Sequence, residues 1–108
     1  MQIPAQNALQ KLREEHKLFA PLFQHGSLLV EVYKPHGQDH QTPHTRDEIY
    51  VVISGTGNFY LQGKIQTFQP GDFIFVPAFA EHRFQDFTDD FATWVFFFGP
   101  EGGEKEEA

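Results

Sequence analysis

The sequence predicts an all-β domain, an antiparallel sandwich or barrel preceded by one short helix. From Leu18 onward, short runs of Val, Ile, Phe and Tyr are cut about every eight to twelve residues by Gly, Pro, Asn or Asp, which is the punctuation of many short strands. Strand and helix patterns do not alternate, which argues against an open parallel sheet, and no repeat of solenoid length appears. Thirteen phenylalanines in 108 residues supply apolar bulk for a core in a chain of ordinary single-domain length.

In chain order, Ala8, Leu9 and Leu12 stand at helical spacing among Gln, Lys, Arg and Glu, predicting an amphipathic helix over Ala5 to Glu15. Strands are expected at Leu18 to Phe23, Ser27 to Lys34, Glu48 to Ser54, Gly57 to Gln62, Lys64 to Phe68, Asp72 to Val76, His82 to Asp86 and Phe91 to Phe98. The segments Gly55-Thr56-Gly57, Gln62-Gly63-Lys64 and Gln69-Pro70-Gly71-Asp72 supply positive φ or a preset φ and read as hairpin connections. In the last strand both parities are apolar: Phe91, Val95 and Phe97 fall on one face, Ala92, Trp94, Phe96 and Phe98 on the other. Both faces therefore need cover, and a homodimer is the natural expectation; the alternative is cover by the helix and N-terminal strands of the same chain. The expected organisation is a helical extension over residues 1–17, a barrel over 18–100 and a solvated, disordered acidic tail over 101–108, where four glutamates against one lysine give −3.

Composition narrows the chemistry. Cysteine is absent, so a metal must rest on nitrogen and oxygen. The net charge of −7 disfavours nucleic acid and acidic membrane surfaces as partners. No apolar run nears the ~20 residues of a membrane span, and Met1 to Gln10 lacks a signal-peptide pattern, so a cytoplasmic protein is expected.

Two polar segments interrupt the apolar text. In the first, His44 and Glu48 are separated by an even offset that brings both to one face at a strand start, and His40, Thr42 and His44 would share a face if extended. In the second, a Pro-containing bend leads into His82, which shares a face with Phe84 and Asp86. Imidazole and carboxylate groups buried in a barrel are costly unless they are paired or bound to a cation. Arg46 and Arg83 are read as surface ion-pairing residues, and His16, His25 and His36 as surface histidines.

Together these segments resemble the cupin family. Its first motif ends with His, three or four residues, Glu, six residues and Gly, and His44, Glu48 and Gly55 fall at those spacings with Gly37 upstream. The first histidine of the motif's His-x-His pair falls on Thr42. Gly71, Pro77 and His82 match the second motif, while Phe79 and Asp86 stand where it has Gly and Asn. The similarity extends over Leu28 to Gly99.

The resemblance implies a double-stranded β-helix, or jelly-roll barrel, enclosing a small-molecule cavity. It also implies three metal ligands, His44, Glu48 and His82, with His40 the expected substitute for the missing fourth and Gln41 a weaker oxygen donor. The expected ion is a divalent transition metal: Fe for a two-histidine, one-carboxylate site, with Mn, Ni or Zn equally suited if His40 joins. Tyr50, Phe59, Phe73, Phe75, Phe84 and Trp94 are candidates to line the cavity. Two functions fit: a metal-dependent, dioxygenase-like enzyme acting on a small oxygen-bearing molecule, or a non-catalytic module binding or sensing a sugar or acid. No general base stands out among Asp86, Tyr50 and Glu81.

Overall fold

The structure, a computed structural model, describes residues 1–105. The chain runs through α1 (Ala5–Glu15), β1 (Phe19–His25), β2 (Leu28–Tyr33), β3 (Asp47–Ser54), β4 (Gly57–Leu61), β5 (Lys64–Phe68), β6 (Phe73–Val76), β7 (His82–Gln85) and β8 (Ala92–Phe98). A five-stranded sheet in the order β1-β2-β8-β3-β6 packs against a three-stranded sheet in the order β5-β4-β7, and all strand pairs are antiparallel. This is a jelly-roll barrel with a short N-terminal helix. Among the described residues, no helix is long and apolar enough to cross a membrane.

Strand alternation fills the space between the sheets. Tyr50 and Val52 of β3, Phe59 of β4, Phe68 of β5, Phe84 of β7 and Val95 of β8 form one buried cluster with Phe91. Its aromatic rings meet edge-on or tilted, as Phe84 does against Phe91 at 4.6 Å and against Tyr50 at 4.8 Å. The other face of β8 is covered within the chain around Trp94. Ala8 and Leu12 of α1 pack with Ala20, Val32, Ile53 and Trp94, whereas Phe96 and Phe98 of the same face stay partly exposed.

Of the three expected hairpins, only Gln62-Gly63 joins paired strands, β4 and β5, with positive φ at both residues (47° and 88°). The other two segments instead carry the chain between sheets, from β3 to β4 and from β5 to β6. Gly55 shows why such a crossing demands glycine. Its φ is +83°, and a Cβ there would lie 2.5 Å from the Phe91 Cα.

The expected tail also differs at its start. Residues 101–104 fold back on the barrel: the Gly102 N–H donates to the Thr45 carbonyl (2.7 Å), and the Glu104 N–H to Asp47 Oδ2 (2.9 Å). Residues 106–108 of that tail lie outside the described residues. Asp47 is buried, and its Oδ1 also accepts the Ala78 N–H at 2.9 Å, so one carboxylate ties the start of β3 to the bend before β7 and to the C-terminal segment. Replacing Asp47 by Ala orphans two amides and is expected to cost about 1–3 kcal/mol in denaturant unfolding. An unchanged midpoint would deny Asp47 this role.

Candidate metal centre

Glu48, second residue of β3, is fully buried, and the Leu61↔His82 pairing of β4 with β7 sets His82 at the mouth of the smaller sheet. His44 approaches from the segment before β3, its ring edge-on to Phe97 at 5.0 Å. One donor atom from each of His44, Glu48 and His82 lies within 4.8 Å of the others. His82 Nε2 stands 3.2 Å and His44 Nε2 3.8 Å from Glu48 Oε1.

Three buried polar atoms, Glu48 Oε1, Glu48 Oε2 and His82 Nε2, have no hydrogen-bond partner among the described residues. The tautomer of His82 explains the conflict. Its Nδ1 lies 2.9 Å from the Ala80 carbonyl, which only accepts, so Nδ1 carries a proton and Nε2 of the neutral ring presents a lone pair to a carboxylate. Two acceptors facing each other in a dry interior require a positive charge between them, either a proton or a metal ion. Burial lowers the His82 pKa, but the Glu48 carboxylate and the Ala80 carbonyl outweigh it and the net shift is upward. Burial lowers the pKa of His44, which favours the neutral, ligating form. Two imidazoles and a carboxylate fit a divalent transition metal.

The structure does not bring His40 to this cluster. His40 is exposed and lines a separate cleft with Asp39, Arg83 and Asp86, while Thr42 is also exposed. Gln41 faces the cluster instead, its Oε1 3.5 Å from His44 Nε2. A cavity of about 200 Å³ opens beside His44, Glu48 and Gln41, walled by Phe19, Glu31, Tyr33, Val95 and Phe97.

None of the six aromatic residues expected at the wall forms it. Tyr50, Phe59 and Phe84 are packed in the core, Trp94 lies under α1, and Phe73 and Phe75 are exposed. Arg83 pairs with Glu81 (3.2 Å) and covers the Tyr60 ring, and Arg46 bonds the Gly99 and Ser27 carbonyls, so neither arginine enters the cavity.

Sequence reasoning missed two residues. Asp39 accepts hydrogen bonds from the Tyr33 hydroxyl (2.7 Å), the Gln41 N–H (3.1 Å) and side-chain amide (2.9 Å), and the Phe84 N–H (2.8 Å), and so locks the segment before His44 onto β2 and β7. Glu31 is the second carboxyl beside the cluster. Burial, followed by the charge of Glu48, raises its pKa. Its signal was an acidic residue between Leu29 and Tyr33 on an inward parity.

The departures from the second motif keep its backbone. Phe79 and Asp86 adopt φ of 68° and 51°, the left-handed conformation that Gly and Asn favour. The Phe79 N–H donates to the His44 carbonyl at 2.6 Å, joining the bend before His82 to the other histidine.

Comparison with known proteins agrees with this fold. An uncharacterized protein of Streptomyces coelicolor is 33% identical over 63 residues, which cover 58% of this chain and 60% of that protein. An acireductone dioxygenase of Bacillus thuringiensis is 40% identical over 62 residues, 53% of this chain and 33% of that one. The chain thus spans about a third to three fifths of the length of these curated relatives. The crystal structure of the DMSP lyase DddQ from Ruegeria pomeroyi superposes with a TM-score of 0.63 at 27% identity, covering 75% of this chain and 46% of that one. The model of a family described as the cupin domain matches residues 29–98, the stretch that holds both motifs and all but the first strand of the barrel, and the chain belongs to that family.

Proposed function

We propose that this cupin is a metal-dependent, dioxygenase-like enzyme that holds a divalent transition metal on His44, Glu48 and His82 and acts on a small oxygen-bearing molecule in the adjoining cavity. The observation that carries the reading is the buried Glu48 carboxylate facing the unpartnered His82 Nε2. The named activity of the acireductone dioxygenase relative supports an oxygenase, and that of the DMSP lyase makes a lyase the second enzymatic reading.

When bound, a divalent cation supplies Lewis acidity and, if redox-active, an electron route between substrate and dioxygen. The protein contributes position, dryness and a proton. Val95 and Phe97 make the inner wall apolar, with exposed Phe19 at the rim. Glu31 lines the cavity beside the cluster and is assigned as its acid–base group: burial, the larger cause of its raised pKa, favours the protonated carboxyl, which can donate to a developing oxyanion and take the proton back afterwards. Tyr50 is poorly suited to this role because its pKa is pushed well above the ordinary phenol value and its hydroxyl is committed to Gln41. Glu81 is exposed and bonded to Arg83, and Asp86 lies in the His40 cleft.

The test is to load metal-free protein with Fe(II), Mn(II), Ni(II) or Zn(II) and follow dioxygen uptake with small diols, thiols and aromatic acids. Uptake dependent on Fe(II) supports the oxygenase, and Glu31→Gln should then lose about tenfold or more in kcat with its metal content unchanged. Product formation without oxygen uptake points to the lyase. Metal binding and ligand-induced stabilisation without turnover would make the protein a binding or sensing cupin.

A further inference from the structure

Building on the metal reading above, we propose that Gln41 Oε1 is the fourth protein ligand, an amide oxygen in the role of the imidazole that position 42 lacks. The side chain is oriented as a ligand must be. Asp39 is an acceptor, so the Gln41 atom facing it at 2.9 Å is the amide nitrogen, which turns Oε1 toward the cluster. The Tyr50 hydroxyl, 2.9 Å away, donates to that oxygen and uses one of its two lone pairs. The other points to His44 Nε2, 3.5 Å distant, where it meets at most a long hydrogen bond that a cation between the two atoms would replace.

The spacing suits one ion. Donors about 2.1 Å from a metal stand about 3.0 Å apart at octahedral and about 3.4 Å at tetrahedral angles. The neighbouring separations here are 3.2 Å (His82 to Glu48), 3.8 Å (His44 to Glu48) and 3.5 Å (His44 to Gln41). The Gln41 backbone N–H is anchored to the same Asp39, so main chain and side chain are held together and little rotamer freedom is left to lose on binding.

Two imidazoles with a carboxylate and an amide oxygen make a harder donor set than three imidazoles with one carboxylate. Carbonyl and carboxylate oxygens suit Mn(II), whereas imidazole suits Zn(II) and Cu(II). Gln41 therefore biases the site toward Mn(II).

The experiment measures Mn(II) and Zn(II) dissociation constants by chelator competition, and the absorption spectrum of the Co(II)-loaded protein, for the wild type, Gln41→Leu, Gln41→His and His82→Ala. Gln41→Leu should weaken Mn(II) binding about tenfold or more and alter the Co(II) bands, and Gln41→His should shift preference toward Zn(II). Gln41→Asn, which keeps the amide but shortens its reach, replaces the leucine variant if that one does not fold. Wild-type binding that is lost in His82→Ala but unchanged in affinity and spectrum in Gln41→Leu overturns this inference alone. A wild type that binds none of the three ions overturns the metal reading with it.

Discussion

Replacing His82 by alanine should lower metal affinity by about two orders of magnitude or more, measured against a chromophoric chelator. A tightly held structural ion contributes about 10–16 kcal/mol across four donors, so one donor accounts for about 3 kcal/mol, roughly a hundredfold. His40→Ala is the matched control and should change nothing, because His40 lies in another cleft. The same geometry sets the pH dependence. In the metal-free protein a proton on His82 Nε2 occupies the place of the cation, and the folded pKa lies above the ordinary 6.5. Proton-linked stability is thus complete below 6.5 and is lost as pH rises through the raised value. Metal affinity runs the opposite way and falls as pH drops through that value. His44, with its pKa lowered, adds no comparable competition near neutrality. An affinity that stays flat as pH falls from the alkaline side to below 6.5 would be incompatible with a ligand role for His82.

Glu48→Gln should separate stability from binding. In chelator at a pH above the raised His82 pKa, where neutral His82 leaves the buried carboxylate without a partner, the substitution should stabilise the protein by about 1–3 kcal/mol. The new amide N–H donates to the Nε2 lone pair and no charge remains buried. For a domain of this size that is a rise in Tm of roughly 4 °C or more. Metal affinity should fall at least a hundredfold in the same variant, since a neutral amide replaces the anionic ligand. Natural sites accept such a loss of stability where function needs it. A metal-free variant that melts below the wild type would mean that the native carboxylate is already well compensated.

Most of the architecture was legible because the strands are short and sharply punctuated. The helix and all eight strands lie within two residues of the positions that the Gly, Pro and Asp breaks marked. Which strands pair was less legible. Positive φ at Gly55 or Gly71 announces a turn, but whether the chain turns back or crosses to the other sheet depends on contacts such as Gly55 against Phe91, far along the chain. Glu48 and His82 could be found because each sits at the start of a regular strand, whereas His44, in the irregular segment before β3, was found by its motif spacing. Gln41 rather than His40 stands beside His44 because residues 40–46 form no regular strand, so alternation does not govern them. Asp39 fixes that segment through partners on β2 and β7, and no local pattern encodes such a meeting. Glu31 was readable, as a lone acid on an inward parity, but it was hidden among residues read only as a strand.

Of the three residues that meet at the centre, Glu48 belongs to the head of the five-stranded sheet, His44 to the segment leading into it and His82 to the head of the smaller sheet, and β3 and β7 share no ladder. A cation gripped by all three rivets the two halves of the sandwich at one rim. The halves could then part only after a coordination bond had broken, so the ion would act on the lifetime of the folded state as well as on its equilibrium population. Persistence under protease or heat would then follow how fast the rivet lets go.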